Sequence, residues 1–214
     1  MSRRPPEKGT VEMKDTENRQ GTLLDEAVSF AALAHAGQFR KGTETPYIVH
    51  PVEVMKIVCG ITQDMEVRMA AVLHDTVEDT PVSRADLEER FGGRVAGLVC
   101  AESENKREEL PEEETWLIRK QETLDRLEHA ERDVKIICLG DKLANIRDIA
   151  RDTARIDDSF WERFNAPEDG GKLAGKIANV GRYYRGVADR LKSELGGTPE
   201  WQELDRLVRA VFKM

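Results

Sequence analysis

The stretch from Asp64 to Glu78 limits the possible folds of this 214-residue chain more than any other part of the sequence. One stripe in it follows the spacing of a single α-helical face, and it consists of Val67, Ala70, Ala71, His74, Asp75 and Glu78. Other apolar residues cover nearly every remaining side, which is typical of a central, buried helix. An apolar face therefore continues into three ionisable side chains. Because burying such groups unpaired costs several kcal/mol, we expect them to be paired, hydrogen-bonded or neutralised by a cation.

Two distant segments supply groups of the same kind. A helix predicted from about Val134 to Ala150 has an inward stripe, which consists of Val134, Ile137, Cys138, Asp141, Asn145 and Asp148. His50 precedes Pro51, and proline suits the first turn of a helix, so His50 is expected at or near a helix start. The sequence thus predicts two imidazoles and two carboxylates inside one helical protein.

This set of groups is typical of a metal site with mixed nitrogen and oxygen ligands. Such a site suits Mn²⁺, Fe²⁺, Co²⁺ or Zn²⁺ better than Ca²⁺, which prefers oxygen alone. A bound ion of this kind lowers the pKa of water to about 7 and so provides a nucleophile for phosphorus. Glu78 and Asp79 follow His74 and Asp75 by about one helical turn. We therefore expect Glu78 or Asp79 to orient that water or to move its proton.

Basic residues near these groups are candidates for binding phosphate. Arg40 and Lys41 precede His50, while Lys142 and Arg147 flank the Asp141 turn. Arginine binds phosphate oxygens with a bidentate fork, and lysine acts as a point charge. Tyr47 is a candidate for stacking on a ligand or for hydrogen-bonding with it.

The remaining sequence favours a single all-α domain in the cytoplasm. Residues 1 to 20 are polar and lack apolar periodicity, so we predict a disordered N-terminal arm followed by one domain at 21–214. Strand signals are scarce, and about ten helices are expected. Three cysteines without paired spacing fit reduced thiols. No apolar run approaches the ~18 residues of a membrane-spanning helix, and no membrane partner is expected.

The net charge of −8 also restricts the partners. Non-specific binding to nucleic acid depends on basic groups that release counterions, so no nucleic-acid partner is expected. A small phosphorylated ligand remains compatible, because a few local cations can hold it inside an acidic protein. The sequence leaves the oligomeric state open, with a homo-oligomer among the options.

Several short motifs follow one another along the chain. In chain order, they are Arg40-Lys41, Pro46-Tyr47-Ile48-Val49-His50-Pro51, Leu73-His74-Asp75-Thr76-Val77-Glu78-Asp79-Thr80, Phe91-Gly92 and Gly140-Asp141-Lys142-Leu143-Ala144-Asn145-Ile146. Together they resemble one known family, the hydrolase domain of the RelA/SpoT enzymes, and especially its single-domain relatives, the small alarmone hydrolases. The resemblance covers roughly residues 23 to 195. It is specific because the motifs keep the family's order and spacing.

The resemblance implies an all-helical HD-domain bundle and an enzyme that uses Mn²⁺, with Zn²⁺, Fe²⁺, Co²⁺ or Mg²⁺ as other options. The implied reaction is hydrolysis of the 3′-pyrophosphate of the nucleotide (p)ppGpp to GDP or GTP plus pyrophosphate. By matching position, the implied metal ligands are His50, His74, Asp75 and Asp141. Glu78 and Asp79 match the acidic pair that supports the catalytic water, and Arg40, Lys41 and Asn145 match substrate-contacting positions.

Two segments depart from the family pattern. The loop at 42–45 differs in length and composition from that of the long enzymes, which affects contacts to the guanine. The segment from Ala101 to Glu114 is unusually acidic, and where it borders the pocket it would alter affinity for pyrophosphate. Taken by itself, an acidic run of this kind is predicted to be a solvated loop.

Two other functions remain open at this point. The first keeps the chemistry and changes the substrate to another nucleotide, and the second is a nucleotide-sensing module without turnover. At the level of single residues, His35 lies on an apolar stripe with Leu24, Val28 and Ala31, and we expect it to be packed or to support a ligand. The three tryptophans are expected to be core anchors.

Overall fold

The computed structural model describes residues 8–105, 107, 109–168 and 171–213. Within them, ten α-helices and one 3₁₀ helix form, and the only β-type pairing is an isolated bridge between Phe39 and Pro46. The α-helices are α1 (Lys8–Ala34), α2 (Val49–Ile61), α3 (Met65–Leu73), α4 (Thr76–Asp79), α5 (Arg84–Phe91), α6 (Gly93–Glu102), α7 (Glu112–His129), α8 (Arg132–Thr153), α9 (Leu173–Leu195) and α10 (Pro199–Phe212), with the 3₁₀ helix Asp158–Arg163 between α8 and α9. The predicted all-α fold of about ten helices is confirmed.

Helices α3 and α8 form the centre of the bundle. Helix α3 packs against α1, α2, α6 and α8, and α8 also contacts α6, α9 and α10. Both helices are buried over most of their length. The side chains of these two helices are therefore strongly restricted. Helix α8 carries Asp141, and α3 ends directly before His74 and Asp75. Among the described residues, no helix is both long and apolar enough to cross a membrane.

The helix predicted from Asp64 to Glu78 is interrupted, and this part of the prediction is wrong. Helix α3 ends at Leu73, a turn follows at His74 and Asp75, and α4 starts at Thr76. Side chains compete here for backbone carbonyls: His74 Nδ1 lies 2.9 Å from Ala71 O, and Thr76 Oγ1 donates to Leu73 O at 2.7 Å. Such local bonds weaken the regular helical ladder. At this break the side chains of His74 and Asp75 meet, with His74 Nε2 3.0 Å from Asp75 Oδ2.

The predicted disordered arm also differs from the structure. Residues 8–20 form the first turns of α1, while residues 1–7 lie outside the described residues. The sequence of this segment contains Glu, Lys, Gln, Arg and Met, which are good helix formers. Helix propagation from the packed part of α1 therefore extends through a segment that has no apolar stripe of its own. The division into an arm at 1–20 and a domain at 21–214 stays a prediction.

The contact between α2 and α8 depends on a glycine. A Cβ atom at Gly140 would lie 2.9 Å from Val58 Cγ2 and 3.2 Å from both Val54 Cγ1 and Val54 O. Val54 and Val58 follow His50 on the buried face of α2, and Gly140 precedes Asp141 on α8. The missing side chain thus allows the two helices to approach where each presents a candidate metal ligand.

We expect Gly140→Ala to destabilise the protein by about 1–3 kcal/mol, because the added methyl group overpacks this contact. It should also weaken metal binding by moving His50 away from Asp141. Chemical unfolding and calorimetric titration with Mn²⁺ measure the two effects. Gly97→Ala in α6 is the matched control: its Cβ would meet nothing within 4 Å, and we expect a gain of about 0.5–1 kcal/mol. Equal stability of the two variants would contradict the close-approach argument.

Candidate metal centre and active site

Four predicted ligands from three parts of the chain converge in the core. His50 Nε2 lies 3.1 Å from Asp141 Oδ1 and 3.6 Å from Asp75 Oδ2. His74 Nε2 lies 3.0 Å from Asp75 Oδ2 and 3.8 Å from Asp141 Oδ1. Ligand atoms of His50, His74 and Asp141 all fall within 4.8 Å of one another, and these three side chains are buried. The structure therefore brings both imidazoles and both carboxylates to one centre.

The polar atoms at this centre are arranged for a positive charge. The Nδ1 atom of His74 bonds to Ala71 O, which directs Nε2 towards the carboxylates. This buried Nε2 lies 3.0 Å from Asp75 Oδ2, but the contact lacks the geometry of a regular hydrogen bond. Burial opposes a charged His74, but Asp75 and Asp141 outweigh it and raise the pKa of His74 to about 9. A cation at this point would satisfy the same atoms, since metal-bound imidazoles usually donate their other nitrogen to a carbonyl.

Two further carboxylates lie beside the four predicted ligands. The Tyr47 hydroxyl is 2.7 Å from Asp75 Oδ2 and 2.9 Å from Asp79 Oδ2. Burial and these two carboxylates raise the pKa of Tyr47 above its ordinary value, so the hydroxyl stays protonated and links the two acids. Glu78 Oε2 accepts the backbone N–H of Glu104 at 3.0 Å. Burial raises the pKa of Glu78, although this hydrogen bond acts in the opposite direction.

His35 supports this arrangement from outside the ligand set. It is buried and stacks on Tyr47 with ring centroids 4.7 Å apart. Its Nδ1 lies 2.8 Å from Gln38 Oε1, and Gln38 donates to the backbone oxygen of Asp79 at 2.8 Å. The histidine is therefore packed, as its place on the apolar stripe predicted, and it fixes the tyrosine that touches two acids.

Four of the five predicted substrate-binding residues lie at the mouth of the ligand cluster. Arg40 donates to Asn145 Oδ1 at 2.7 Å, and Asn145 donates to Asp141 Oδ1 at 2.5 Å. Lys142 Nζ lies 2.5 Å from Asp141 Oδ2, and the Arg40 guanidinium lies over the Tyr47 ring. Lys41, the fifth, is exposed and stands further out, 3.4 Å from Asn165 Oδ1. The charged groups at this mouth are held by short internal contacts.

Arg147 does not face this site, and the prediction that it neutralises phosphate oxygens is wrong. Its guanidinium pairs with Glu203 at 2.6 and 2.9 Å and with Glu53 at 3.4 Å. It thus links α8 to α10 and α2. The reason lies in helical geometry: Arg147 is six residues after Asp141 and so projects from a different face of α8.

Two connected cavities adjoin the ligand cluster. The inner pocket, of about 200 Å³, contains all four predicted ligands together with Glu78 and Asp79. The outer cleft, of about 750 Å³, has aromatic walls that include Trp116, Tyr183, Tyr184, Phe160 and Phe164. The two share six lining residues, namely Arg40, Tyr47, His50, Lys120, Lys142 and Asn145. A polar inner pocket with metal-type ligands thus opens into a larger, partly aromatic cleft.

The sequence prediction missed five residues of the inner pocket, which are Glu102, Glu104, Arg119, Lys120 and Thr123. Glu102 and Glu104 belong to the run predicted to be a solvated loop, and that prediction is wrong at both positions. A signal for Glu102 was present, because Val95, Leu98 and Val99 lead to it with the spacing of one helical face. Lys120 has no comparable signal, since one basic residue on a charged helix is ordinary.

Three comparisons place these observations among known proteins. The HD domain family matches residues 27–164. The chain is similar to guanosine-3′,5′-bis(diphosphate) 3′-pyrophosphohydrolase MESH1 of Danio rerio, with 41% identity over 134 residues, which are 61% of this chain and 71% of that protein. The Homo sapiens MESH1 is 42% identical over 138 residues, covering 63% and 73%. A solved structure, described as a metazoan ortholog of SpoT that hydrolyzes ppGpp, matches with a TM-score of 0.68 and 30% identity over 88% of this chain and 94% of its own.

Glu102 is expected to make the folding stability of the protein depend on pH. Burial raises the pKa of Glu102 to about 7, against the opposing charge of Lys142 and with a contribution from Asp141. In the unfolded chain the carboxyl ionises near its ordinary pKa of about 4.3, so folding stability is lost as pH rises from there through about 7. We expect metal-free Glu102→Gln to match the parent near pH 4 and to melt roughly 2–5 °C higher at pH 8. Thermal unfolding measures this.

The control for that experiment is Glu128→Gln, which removes an exposed carboxylate of α7. Its melting temperature should follow that of the parent protein at both pH values. If Glu102→Gln gained no stability between pH 4 and pH 8, the assignment of a raised pKa to Glu102 would be rejected.

Proposed function

The chain belongs to the HD domain family and, within it, to the group of the MESH1 pyrophosphohydrolases, and from this premise we propose that it removes pyrophosphate from the 3′ position of (p)ppGpp. The products are GDP or GTP and pyrophosphate. The observation that carries the proposal is the convergence of His50, His74, Asp75 and Asp141 on one buried centre beside two more acids. The activity of the MESH1 relatives, which are guanosine-3′,5′-bis(diphosphate) 3′-pyrophosphohydrolases, supports the choice of substrate.

We propose that these four residues hold one divalent ion, with Mn²⁺ as the expected metal. The donor set supports this, because imidazole and carboxylate ligands together suit Mn²⁺ and its neighbours in the first transition row. The buried Nε2 of His74 supports it as well, because it faces Asp75 Oδ2 at 3.0 Å without forming a hydrogen bond of regular geometry. When bound, such an ion supplies positive charge that acidifies water and polarises a phosphoryl oxygen.

In this proposal, Glu78 and Asp79 orient the attacking water and accept its proton. Glu78 has a raised pKa and is held in place by the Glu104 N–H, so it is suited to take a proton from the attacking water at near-neutral pH. Asp79 is fixed by the Tyr47 hydroxyl on one side and, through its backbone oxygen, by Gln38 on the other. Asp79 therefore orients the water while Glu78 accepts its proton.

The cations at the pocket mouth bind the phosphate oxygens. Arg40, Lys142 and Lys120 line both the inner pocket and the outer cleft, which places them between the ligand cluster and the space for a nucleoside. Their charges offset the negative charge that develops as pyrophosphate leaves. The outer cleft has a volume in the range typical of nucleotide-sized ligands, and its aromatic rings are suited to contact a base. Asn145 ties Arg40 to Asp141.

A second nucleotide substrate is a real alternative because aromatic walls accept any base. The experiment is a substrate panel at fixed Mn²⁺, in which ppGpp, pppGpp, deoxynucleotides, cyclic nucleotides and nucleoside monophosphates are compared. We expect release of pyrophosphate from ppGpp and pppGpp and little phosphate from the others. Faster hydrolysis of another nucleotide would replace the alarmone as substrate, and binding of ppGpp without any product would favour a sensor. A cytoplasmic location, a homo-oligomer and the lack of a nucleic-acid partner stay predictions.

Substitutions at the site separate metal binding from catalysis. We expect His74→Ala and Asp141→Asn to lose both the metal and turnover, because each removes a ligand. Glu78→Gln should keep the metal and lose rate by roughly 10²–10⁴-fold, the usual contribution of a general base. Metal analysis after gel filtration and pyrophosphate release from ppGpp give the two readouts. His129→Ala, an exposed histidine, is the control, and equal activity in all variants would reject the site.

A further inference from the structure

A carboxylate of the acidic segment after α6 lies against cations of the inner pocket. The Glu104 side chain is 10% exposed. It accepts hydrogen bonds from Lys120 Nζ at 2.8 and 2.9 Å and from Thr123 Oγ1 at 3.0 Å, and the Arg119 guanidinium lies 3.4 Å away. Glu104 thus occupies the position of an anion bound by a lysine and an arginine.

The lysine in this contact belongs to the group of cations that faces the substrate. The ammonium groups of Lys120 and Lys142 lie over the same ring, 5.0 and 5.8 Å from the centroid of Tyr183. Each has an internal acidic partner: Asp141 for Lys142, and Glu104 for Lys120. Asp141 is a proposed metal ligand, which explains its presence. The Glu104 carboxylate has no part in the proposed mechanism.

We propose that Glu104 is an internal competitor for the pyrophosphate group, with its carboxylate holding a place against Lys120 and Arg119 that a phosphate oxygen takes when substrate binds. The identity of that anion rests on the proposed function. Carboxylate and phosphate oxygens accept the same charge-assisted hydrogen bonds. The negative charge of Glu104 also reduces the attraction of Lys120 and Lys142 for an incoming anion. Glu104 therefore lowers the affinity for pyrophosphate and speeds its release as a product.

A conservative change can test the side chain alone. Glu104 contacts Glu78 through its backbone N–H, so Glu104→Gln leaves that contact available while it removes the charge. Glutamine has a similar volume, and its amide oxygen still accepts from Thr123 and Lys120. A damaged pocket would bind anions more weakly, whereas removal of a competitor makes binding tighter. The direction of the change thus separates the proposal from a structural role.

The experiment is calorimetric titration of inorganic pyrophosphate into the metal-loaded protein at fixed free Mn²⁺. We expect Glu104→Gln to bind pyrophosphate roughly tenfold more tightly than the parent. In a Lys120→Met background, the same change should have an effect of less than about twofold, because the cation that Glu104 neutralises is gone. Glu122→Gln is the matched control: Glu122 is an exposed residue of α7 whose carboxylate pairs with Arg107 outside both cavities. Its affinity should stay at the parent value.

Unchanged or weaker binding by folded Glu104→Gln would overturn the proposal, and so would equal tightening with and without Lys120. Lack of pyrophosphate binding by every variant would overturn it too. The titration needs no turnover, so it is independent of the proposed reaction. Tighter pyrophosphate binding by a protein that does not cleave ppGpp would support the role of Glu104 and reject the alarmone as substrate.

Discussion

Positive charge at one buried point is the condition on which this structure depends. Asp75 and Asp141 are drawn towards the same place as His50 and His74, and two carboxylates so close repel each other unless a cation or a proton lies between them. The bundle accepts this arrangement because its two most buried helices, α3 and α8, meet at that place and α2 closes over it. The close approach of α2 to Gly140 sets how near the histidine of one helix comes to the aspartate of another. Packing and electrostatics thus specify the same geometry.

Periodicity in the sequence was enough to predict the centre of the site. His74, Asp75 and Asp141 lie on apolar stripes, and a polar group on such a stripe is expected to face the buried interior. The same rule applied to α6 leads to Glu102, which the acidic composition of its neighbours concealed. What periodicity could not provide is local competition for hydrogen bonds. The break at His74 depends on side chains that bond to backbone carbonyls, and the placement of Glu104 and Lys120 depends on how a loop crosses α7. The orientation of Arg147, by contrast, could have been predicted from the sequence, because a helical wheel shows the face of α8 on which it lies.

The cations around the pocket are all partnered within the protein. Arg40 is held by Asn145 and Asp148, Lys142 by Asp141, and Lys120 by Glu104. Long basic side chains in an acidic protein would otherwise sample many rotamers, and ordering them would cost free energy when a ligand arrives. The internal partners keep these side chains ordered. A ligand that binds to the cations has to displace those partners. The acidic balance of the chain, with a net charge of −8, is therefore compatible with an anionic ligand, because the relevant charges are local.

The break between α3 and α4 has a consequence for how such a site can change. Helix α4 is only four residues long, and its two acids are held from elsewhere: by Tyr47 and Gln38 from the loop after α1, and by Glu104 from the segment before α7. The ligand helices can therefore stay constant while exposed loops vary and reposition the acids by fractions of an ångström. In a lineage of related proteins, metal retention and reaction rate would then diverge independently. Loop exchange between relatives is accordingly a route to new rates on an unchanged metal-binding core.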